Sequence, residues 1–371
     1  MNLKDIIFSN IYRNAPAFGL DISDSSIKVA QLVKKGKRLE LKAFNRYPLP
    51  EGVIVGGEIK NQTRLAEMIK KALNSTKGEK IKTEYAVCSL PEQHAFVKVI
   101  NFPKMASAEI RQAIKWEAEA NIPFSLDEVY LGWQVISPWH NGGHVDVLVS
   151  AVPRKLVDNY LETMREAGVE PVVFEVESAA TARSLIESEK VANPHLIIDL
   201  GFDRTSFIIF SGDSICFTNS TSMVSNKSML EDISKKLNID FKKAQSLKFG
   251  IGLGKTEEEK EIFNALLPSL TKLVDKIKEC ITFQQEHGDK DNDCSQIGEI
   301  VLCGGGANLK GLPEYLFSRL KIPVVPGNPW VNILPRKNKK IKLGKTPLIP
   351  YEESLAYSTV LGLALRGAEL K

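Results

Sequence analysis

Phe18-Gly-Leu-Asp-Ile-Ser-Asp-Ser-Ser-Ile-Lys28 runs from an apolar strand through an Asp and a tight polar turn into a second strand. Half a chain later, Leu196-Ile-Ile-Asp-Leu-Gly-Phe-Asp-Arg-Thr-Ser-Phe-Ile-Ile-Phe210 repeats that plan. Such a hairpin offers backbone N–H groups and a hydroxyl to a phosphate, with a carboxylate beside them to hold a hydrated cation. A strand that ends in a Gly triplet, Ile300-Val-Leu-Cys-Gly-Gly-Gly-Ala307, follows the second hairpin. The terminal Glu353-Ser-Leu-Ala-Tyr-Ser-Thr-Val-Leu-Gly-Leu-Ala-Leu-Arg366 completes the set. Two hairpins of one design with a Gly turn imply a phosphate chain gripped from both sides.

Size and composition allow this. A chain of 371 residues exceeds the usual single domain, so two or more are expected. Hydrophobic content of 43% and charged content of 25% are those of a folded protein. A net charge of +4, with dispersed basic residues, gives no electrostatic case for nucleic acid. No apolar run approaches the roughly 20 residues of a membrane span. Met1 to Pro16 lacks the continuous apolar core of a signal peptide. Cys88, Cys216, Cys280, Cys294 and Cys303 show no close pairing, as expected for reduced thiols of a cytosolic protein.

Along the chain, Gly19 to Leu41 alternates apolar and polar residues about a turn at Lys34-Lys-Gly-Lys37. Helical spacing covers Thr63 to Leu73, with Thr63 as N-cap, and Tyr85 to Leu90 is a strand stopped by Pro91. A compact β-α-β-β-α unit follows: strand His94–Ile100, helix Ser107–Glu119, strands Val129–Ile136 and Val145–Val152 about a turn at His140–His144, and helix Lys155–Ala167 closed by Gly168. Trp116 and Phe124 are expected to pack inside it. Val172 to Ile186 then reads as helical. After the second hairpin, Leu230–Leu237, Phe241–Phe249 and the long Glu257–Glu286 stretch are helical.

With these segments in place, the chain resembles the PilM family, actin-like cytoplasmic proteins of type IV pilus assembly related to the division protein FtsA. The resemblance runs from about Gly19 to Arg366. Actins, Hsp70s and sugar kinases share the clamp; the inserted unit is the specific part. Its marks are Val99-Ile-Asn-Phe-Pro103, Ile110-Arg-Gln-Ala-Ile-Lys-Trp-Glu-Ala-Glu-Ala-Asn-Ile-Pro-Phe124 and Val145-Asp-Val-Leu-Val-Ser-Ala-Val-Pro153, joined by Ala167-Gly-Val-Glu-Pro171 and Gly362-Leu-Ala-Leu-Arg366. The resemblance implies an α/β, actin-like (ribonuclease H-like) two-domain fold with a nucleotide cleft and an inserted small α+β subdomain. The expected divisions are 1–91 and 169–193 for the first domain and 92–168 for the insert. The second domain spans 194–345, with a helical subdomain at about 226–290, and 346–371 returns to the first.

It further implies ATP in the cleft, with Asp21 and Asp199 on Mg²⁺ through water. The nucleotide would meet Ser23, Ser25, Ser26, Lys28, Gly201, Thr205, Gln245, Lys248, Gly304, Gly305 and Gly306. The implied partner is the N-terminal cytoplasmic tail of a PilN-like inner-membrane protein, which would hold the chain at the membrane indirectly; self-association is left open. Three positions depart from the family pattern. Ser23 replaces a Gly that permits positive φ; Val224-Ser-Asn-Lys-Ser-Met-Leu230 lacks a Gly-Gly pair and a Thr; and Ala244-Gln245 replaces Ala-Glu, where Gln still bonds a hydroxyl without charge assistance. These favour a slow ATPase at most.

Other motifs fall away. Gly250-Ile-Gly-Leu-Gly-Lys-Thr256 misses the P-loop spacing because Phe249 stands where its first Gly belongs, and it follows a helix. His140 and His144 are separated by glycines, a turn rather than a zinc helix. The basic Arg336–Lys342 run suits a solvated loop, or attraction to anionic headgroups. A sugar kinase needs an acidic general base for its hydroxyl substrate, and no motif marks one. An FtsA-like division protein needs a C-terminal amphipathic helix, for which the five residues after Arg366 leave no room. A pilus scaffold is the expectation that remains.

Overall fold

The computed structural model describes residues 16–370 apart from 37, 104, 106, 137–143, 188–190, 255, 288–295 and 335–348, and structural statements below concern the described residues. The His140–His144 turn, apart from His144 itself, and the basic 336–342 run lie outside them.

The first domain opens with β1 (Phe18–Ile22), β2 (Ser26–Lys35) and β3 (Arg38–Pro48), an antiparallel meander whose second turn lies at the expected lysine-glycine corner. β4 (Ile54–Val55) and β5 (Glu58–Ile59) form a small hairpin. α1 (Gln62–Asn74), β6 (Lys77–Gly78) and β7 (Tyr85–Leu90) follow. Asn61, not Thr63, caps α1: its extended backbone brings the side chain to the Arg64 N–H. Asn ranks at the top of N-cap preference, so a cap two residues earlier wins.

Next come β8 (Phe96–Pro103), α2 (Ser107–Asn121), β9 (Val129–Ile136) and β10 (His144–Pro153). They form an antiparallel sheet in the order β8-β10-β9, covered by α2. Ile110, Ile114 and Ala118, one helical face, pack with Ile100, Phe102, Trp133, Val147 and Val149 as a separate small core. Trp116 lies on the other side of α2 and is 75% exposed, and Phe124 is exposed as well, so neither packs inside the unit as expected. The reason is phase: residue 116 falls outside the 110/114/118 stripe that meets the sheet.

α3 (Arg154–Glu166) follows, and its packing departs from the expected division at 168. Val157, Tyr160, Leu161 and Met164 belong to the first domain's core with α1, not to the insert's. Each such burial stabilises by about 1.5–3 kcal/mol, which ties α3 to that domain. The insert proper is therefore three strands and one helix.

The Val172–Ile186 stretch is not one helix. It is β11 (Glu170–Val176), parallel to β7, followed by α4 (Glu177–Leu185). Val172-Val-Phe-Glu-Val176 is buried on both faces, and such strands lack the alternation that separates them from helix.

The second domain repeats the first. β12 (Val191–Leu200), β13 (Thr205–Gly212) and β14 (Ser214–Thr221) make an antiparallel meander. α5 (Asn226–Leu237), α6 (Phe241–Gly250) and α7 (Glu257–His287) form its helical layer. β15 (Glu299–Cys303), α8 (Leu312–Leu320) and β16 (Val324–Pro326) add two parallel strands, α9 (Tyr351–Ser354) follows, and α10 (Ser358–Glu369) returns to the first domain. The sheet orders β11-β7-β1-β2-β3-β6 and β14-β13-β12-β15-β16 share one five-strand plan.

The terminal segment closes the fold because α10 can come very near its neighbours. A Cβ on Gly362 would stand 1.8 Å from the Ala180 carbonyl oxygen of α4, and one on Gly19 would meet the Val360 carbonyl of α10 at 2.5 Å. Arg366 then donates to the buried Glu175 carboxylate at 2.6 Å, and Arg183 of α4 holds the same carboxylate. The last motif is thus tied to β11, and the first packs against α10.

Candidate functional site

The two domains enclose a cleft of about 680 Å³. Its walls are the two Asp hairpins, the Gly304 turn, α6 and the start of α10. The hairpins and the Gly304 turn lie at the C-terminal ends of parallel strands, where ligands bind in open α/β sheets.

In the first hairpin, Asp21 lies one residue before the end of β1 with its carboxylate buried. Lys28 Nζ donates to Oδ2 at 2.8 Å and Ser89 Oγ to Oδ1 at 3.0 Å. Ser23 shapes the turn: its N–H donates to the Ser26 carbonyl at 3.0 Å, and its Oγ accepts from the Ser26 N–H at 3.2 Å. Ser23 has no positive φ, so the Gly usual at this place is not needed for the turn itself. Asp24 turns away and accepts from the N–H groups of Gly56 and Gly57 at 2.7 and 2.8 Å, which fixes the tip of the β4–β5 hairpin beside the cleft.

In the second hairpin, burial pushes Asp199 up to about 6; Lys28 opposes that and Asp21 adds to it. Gly304 makes this packing possible. Its φ is +81°, and a Cβ there would lie 2.2 Å from Asp199 Oδ1. Gly305 opens onto space, with Ala356 Cβ at 4.0 Å as its nearest neighbour.

Of the residues expected at the nucleotide, Asp21, Ser23, Ser25, Ser26, Lys28, Asp199, Gly201, Gln245, Gly304 and Gly305 line the cleft. Three do not. Thr205 is buried with its hydroxyl donated to the Val224 carbonyl at 2.8 Å. Gly306 packs under Leu200. Lys248 is fully buried in α6 and hydrogen-bonds Asn226 instead.

Two residues were not foreseen. Glu177 faces the cleft at the start of α4, and burial, then the Asp21 charge, push its carboxyl up to about 8. The strand before it, β11, carries no alternation to mark where it ends and α4 begins. Arg46 stands opposite Lys28 in the β2–β3 register and adds a second cation to that wall.

A family model described as type IV pilus assembly protein PilM matches residues 19–368. The chain belongs to the PilM family. Among solved structures, a PilM–PilN type IV pilus biogenesis complex matches with 28% identity over 96% of this chain and 99% of that one, at a TM-score of 0.75. MreB5 of Spiroplasma citri bound to AMPPNP matches at 16% identity, covering 95% and 96%, with a TM-score of 0.54. The ethanolamine utilization protein EutJ from Carboxydothermus hydrogenoformans matches at 14%, covering 98% and 94%, with a TM-score of 0.53. The last two likenesses show the actin-like fold that this chain shares with them. No described helix is long and apolar enough to cross a membrane.

Proposed function

We propose that this PilM-family chain holds Mg-ATP in the interdomain cleft as a structural ligand and recruits the tail of a PilN-like membrane protein to the pilus machine. The observation that carries the nucleotide half is the pair of Asp hairpins facing one cleft, with a turn whose Gly304 cannot carry a side chain without displacing Asp199. Lys28, Arg46 and the Ser23–Ser26 turn give one wall to phosphates, and Gly201, Gly304 and Gly305 give the other.

The donor set fits a hydrated Mg²⁺. Asp21 and Asp199 would hold it through water, and no described cluster of three or more carboxylate, His or Cys side chains makes a dedicated cage. Mg²⁺ usually keeps several waters and shares its coordination with phosphates, supplying neutralisation of their charge. Glu177 is the acid on the same wall. Burial, then the Asp21 charge, raise its carboxyl to about 8 in the ligand-free cleft. Asn226 and Gln245 in place of family residues support slow turnover.

The partner half rests on the family and on the PilM–PilN complex, the 28%-identical match. Its expected seat is the region between the insert and the first domain, where a short peptide can be taken by strand addition or side-chain anchors. The chain would then sit in the cytoplasm, peripheral to the inner membrane through that partner. Calorimetry with Mg-ATP tests the nucleotide half: binding is expected, weakened by Asp199→Ala, and no heat at millimolar ATP sinks it. Phosphate release faster than about 1 per second would refute the structural-ligand role.

A further inference from the structure

Lys248 is among the largest side chains fully removed from solvent, although it belongs to a short polar helix. Burial pulls its ammonium down to about 7. Among the described residues its hydrogen-bond acceptor is Asn226 Oδ1, and the Phe249 ring lies 5.1 Å away. While protonated, Lys248 has donors and no acceptor, so the atom it meets on Asn226 is then the amide oxygen. The orientation of that amide is thereby set by chemistry, with Nδ2 on the opposite branch.

Asn226 is the first residue of α5, only 6% exposed, and it lines the cleft. The backbone donors of this helix end are already used. Asn226 N–H donates to the Gly201 carbonyl at 3.0 Å, Lys227 N–H to the Phe202 carbonyl at 2.8 Å, and Ser228 N–H to Ser225 Oγ at 3.1 Å. The helix start therefore offers the cleft no free main-chain N–H from its first three residues. No described residue accepts from Asn226 Nδ2, and that amide is the donor this end of α5 has left.

We propose that Lys248 is a positioning residue: it locks the Asn226 amide so that its N–H₂ points into the cleft and donates to an acceptor oxygen of the nucleotide. This rests on the nucleotide reading above and adds the donor that takes the place of free main-chain N–H groups. It also explains why a lysine is buried whole against one amide.

The test is a double-mutant cycle read as Mg-ATP affinity by calorimetry, with a thermal melt on each variant. Asn226→Ala is expected to weaken binding by about tenfold, the scale of one lost donor to a charged acceptor. Lys248→Met, similar in length and uncharged, is expected to raise the melting temperature by removing a desolvated ammonium, yet to weaken binding severalfold because the amide is free to turn. In the Asn226→Ala background the same Lys248→Met change should leave affinity unmoved. Asn226→Asp keeps Lys248 paired but turns a carboxylate oxygen toward the phosphates, and should bind worst. Wild-type affinity in Lys248→Met, or an equal loss in both backgrounds, overturns the proposal. If the wild-type chain itself gives no binding, the nucleotide reading has failed rather than this one.

Discussion

Lys28 Nζ lies 2.8 Å from Asp21 Oδ2, across the rung of the first hairpin that faces the cleft. The side chains are only 14% and 4% exposed, so the ion pair is poorly screened by water. It performs two tasks at once. It neutralises the carboxylate whose charge most raises Glu177, and it opposes the rise of Asp199. Lys28→Met therefore removes the cation that pairs with Asp21 and opposes the rise of Asp199. The expected result is a loss of about 2–4 kcal/mol in urea unfolding and a fall in Mg-ATP affinity of more than tenfold. Unchanged affinity would mean that Lys28 serves the hairpin alone.

Glu177 sets a pH dependence of the ligand-free protein. Its folded pKa, about 8, lies above the ordinary carboxyl value of 4.5. The native state thus binds more protons than the unfolded state between those pH values, and stability falls as pH rises through that window. Below pH 4.5 both states are protonated and the effect of Glu177 is at its most favourable. Asp199, raised from 3.8 to about 6, adds the same sign over a narrower range. Melting temperatures of wild type and Glu177→Gln should agree near pH 4.5 and separate toward pH 8, with the variant the more stable. Parallel curves across that range would show that Glu177 does not carry the proton.

The parts of this site that were legible in the sequence are local ones. Phe18–Lys28 and Leu196–Phe210 encode strand, Asp, turn and strand within a few residues, and the structure folds both as the hairpins of one repeated plan. The Gly304 triplet is legible for the same reason, since a strand that stops in glycines leaves the backbone open. What stayed hidden depends on partners distant in sequence. Glu177 reaches the cleft because β11 pairs with β7, and nothing between residues 170 and 177 states that pairing. Lys248 was expected at the nucleotide on the resemblance alone, yet it is buried against Asn226, 22 residues earlier. Trp116 was misplaced by the default that a large aromatic residue is buried. Its phase on α2, legible in hindsight from the 110/114/118 stripe, leaves it outside.

Gly304 and Gly305 should respond in opposite ways to one methyl group. Gly304→Ala has to bear positive φ and a contact of 2.2 Å with Asp199, so a loss of about 1–3 kcal/mol in stability is expected, together with lost nucleotide binding. Gly305→Ala meets nothing nearer than 4.0 Å and should melt as wild type does. Its methyl group stands at the cleft wall, so any change it makes should appear in Mg-ATP affinity alone. Equal destabilisation of the two variants would show that the turn, and not the Asp199 contact, demands glycine.

The insert should be removable only along the boundary its packing draws. A deletion of residues 92–168 takes away α3, and with it Val157, Tyr160, Leu161 and Met164 from the first domain's core. Losses of about 2–5 kcal/mol for each large core side chain exceed the margin of an ordinary domain, so that variant should not fold. A deletion of 95–153, bridged by a flexible linker between the Glu92–His94 turn and Arg154, removes the three-stranded sheet and α2 with their own small core. It leaves Gln93 and His94 on the Gly56 carbonyl, the latter at 2.7 Å, which keeps the β4–β5 tip beside the cleft. This shorter deletion should fold, retain Mg-ATP and lose the PilN-type tail. Trp116→Ser in the full chain is expected to melt within about 0.5 kcal/mol of wild type, because the side chain is exposed. Fluorescence anisotropy with a labelled tail peptide reads the partner directly. Full affinity in the 95–153 deletion would move the partner's seat off the insert, while nucleotide binding lost together with the tail would show that the insert also supports the cleft.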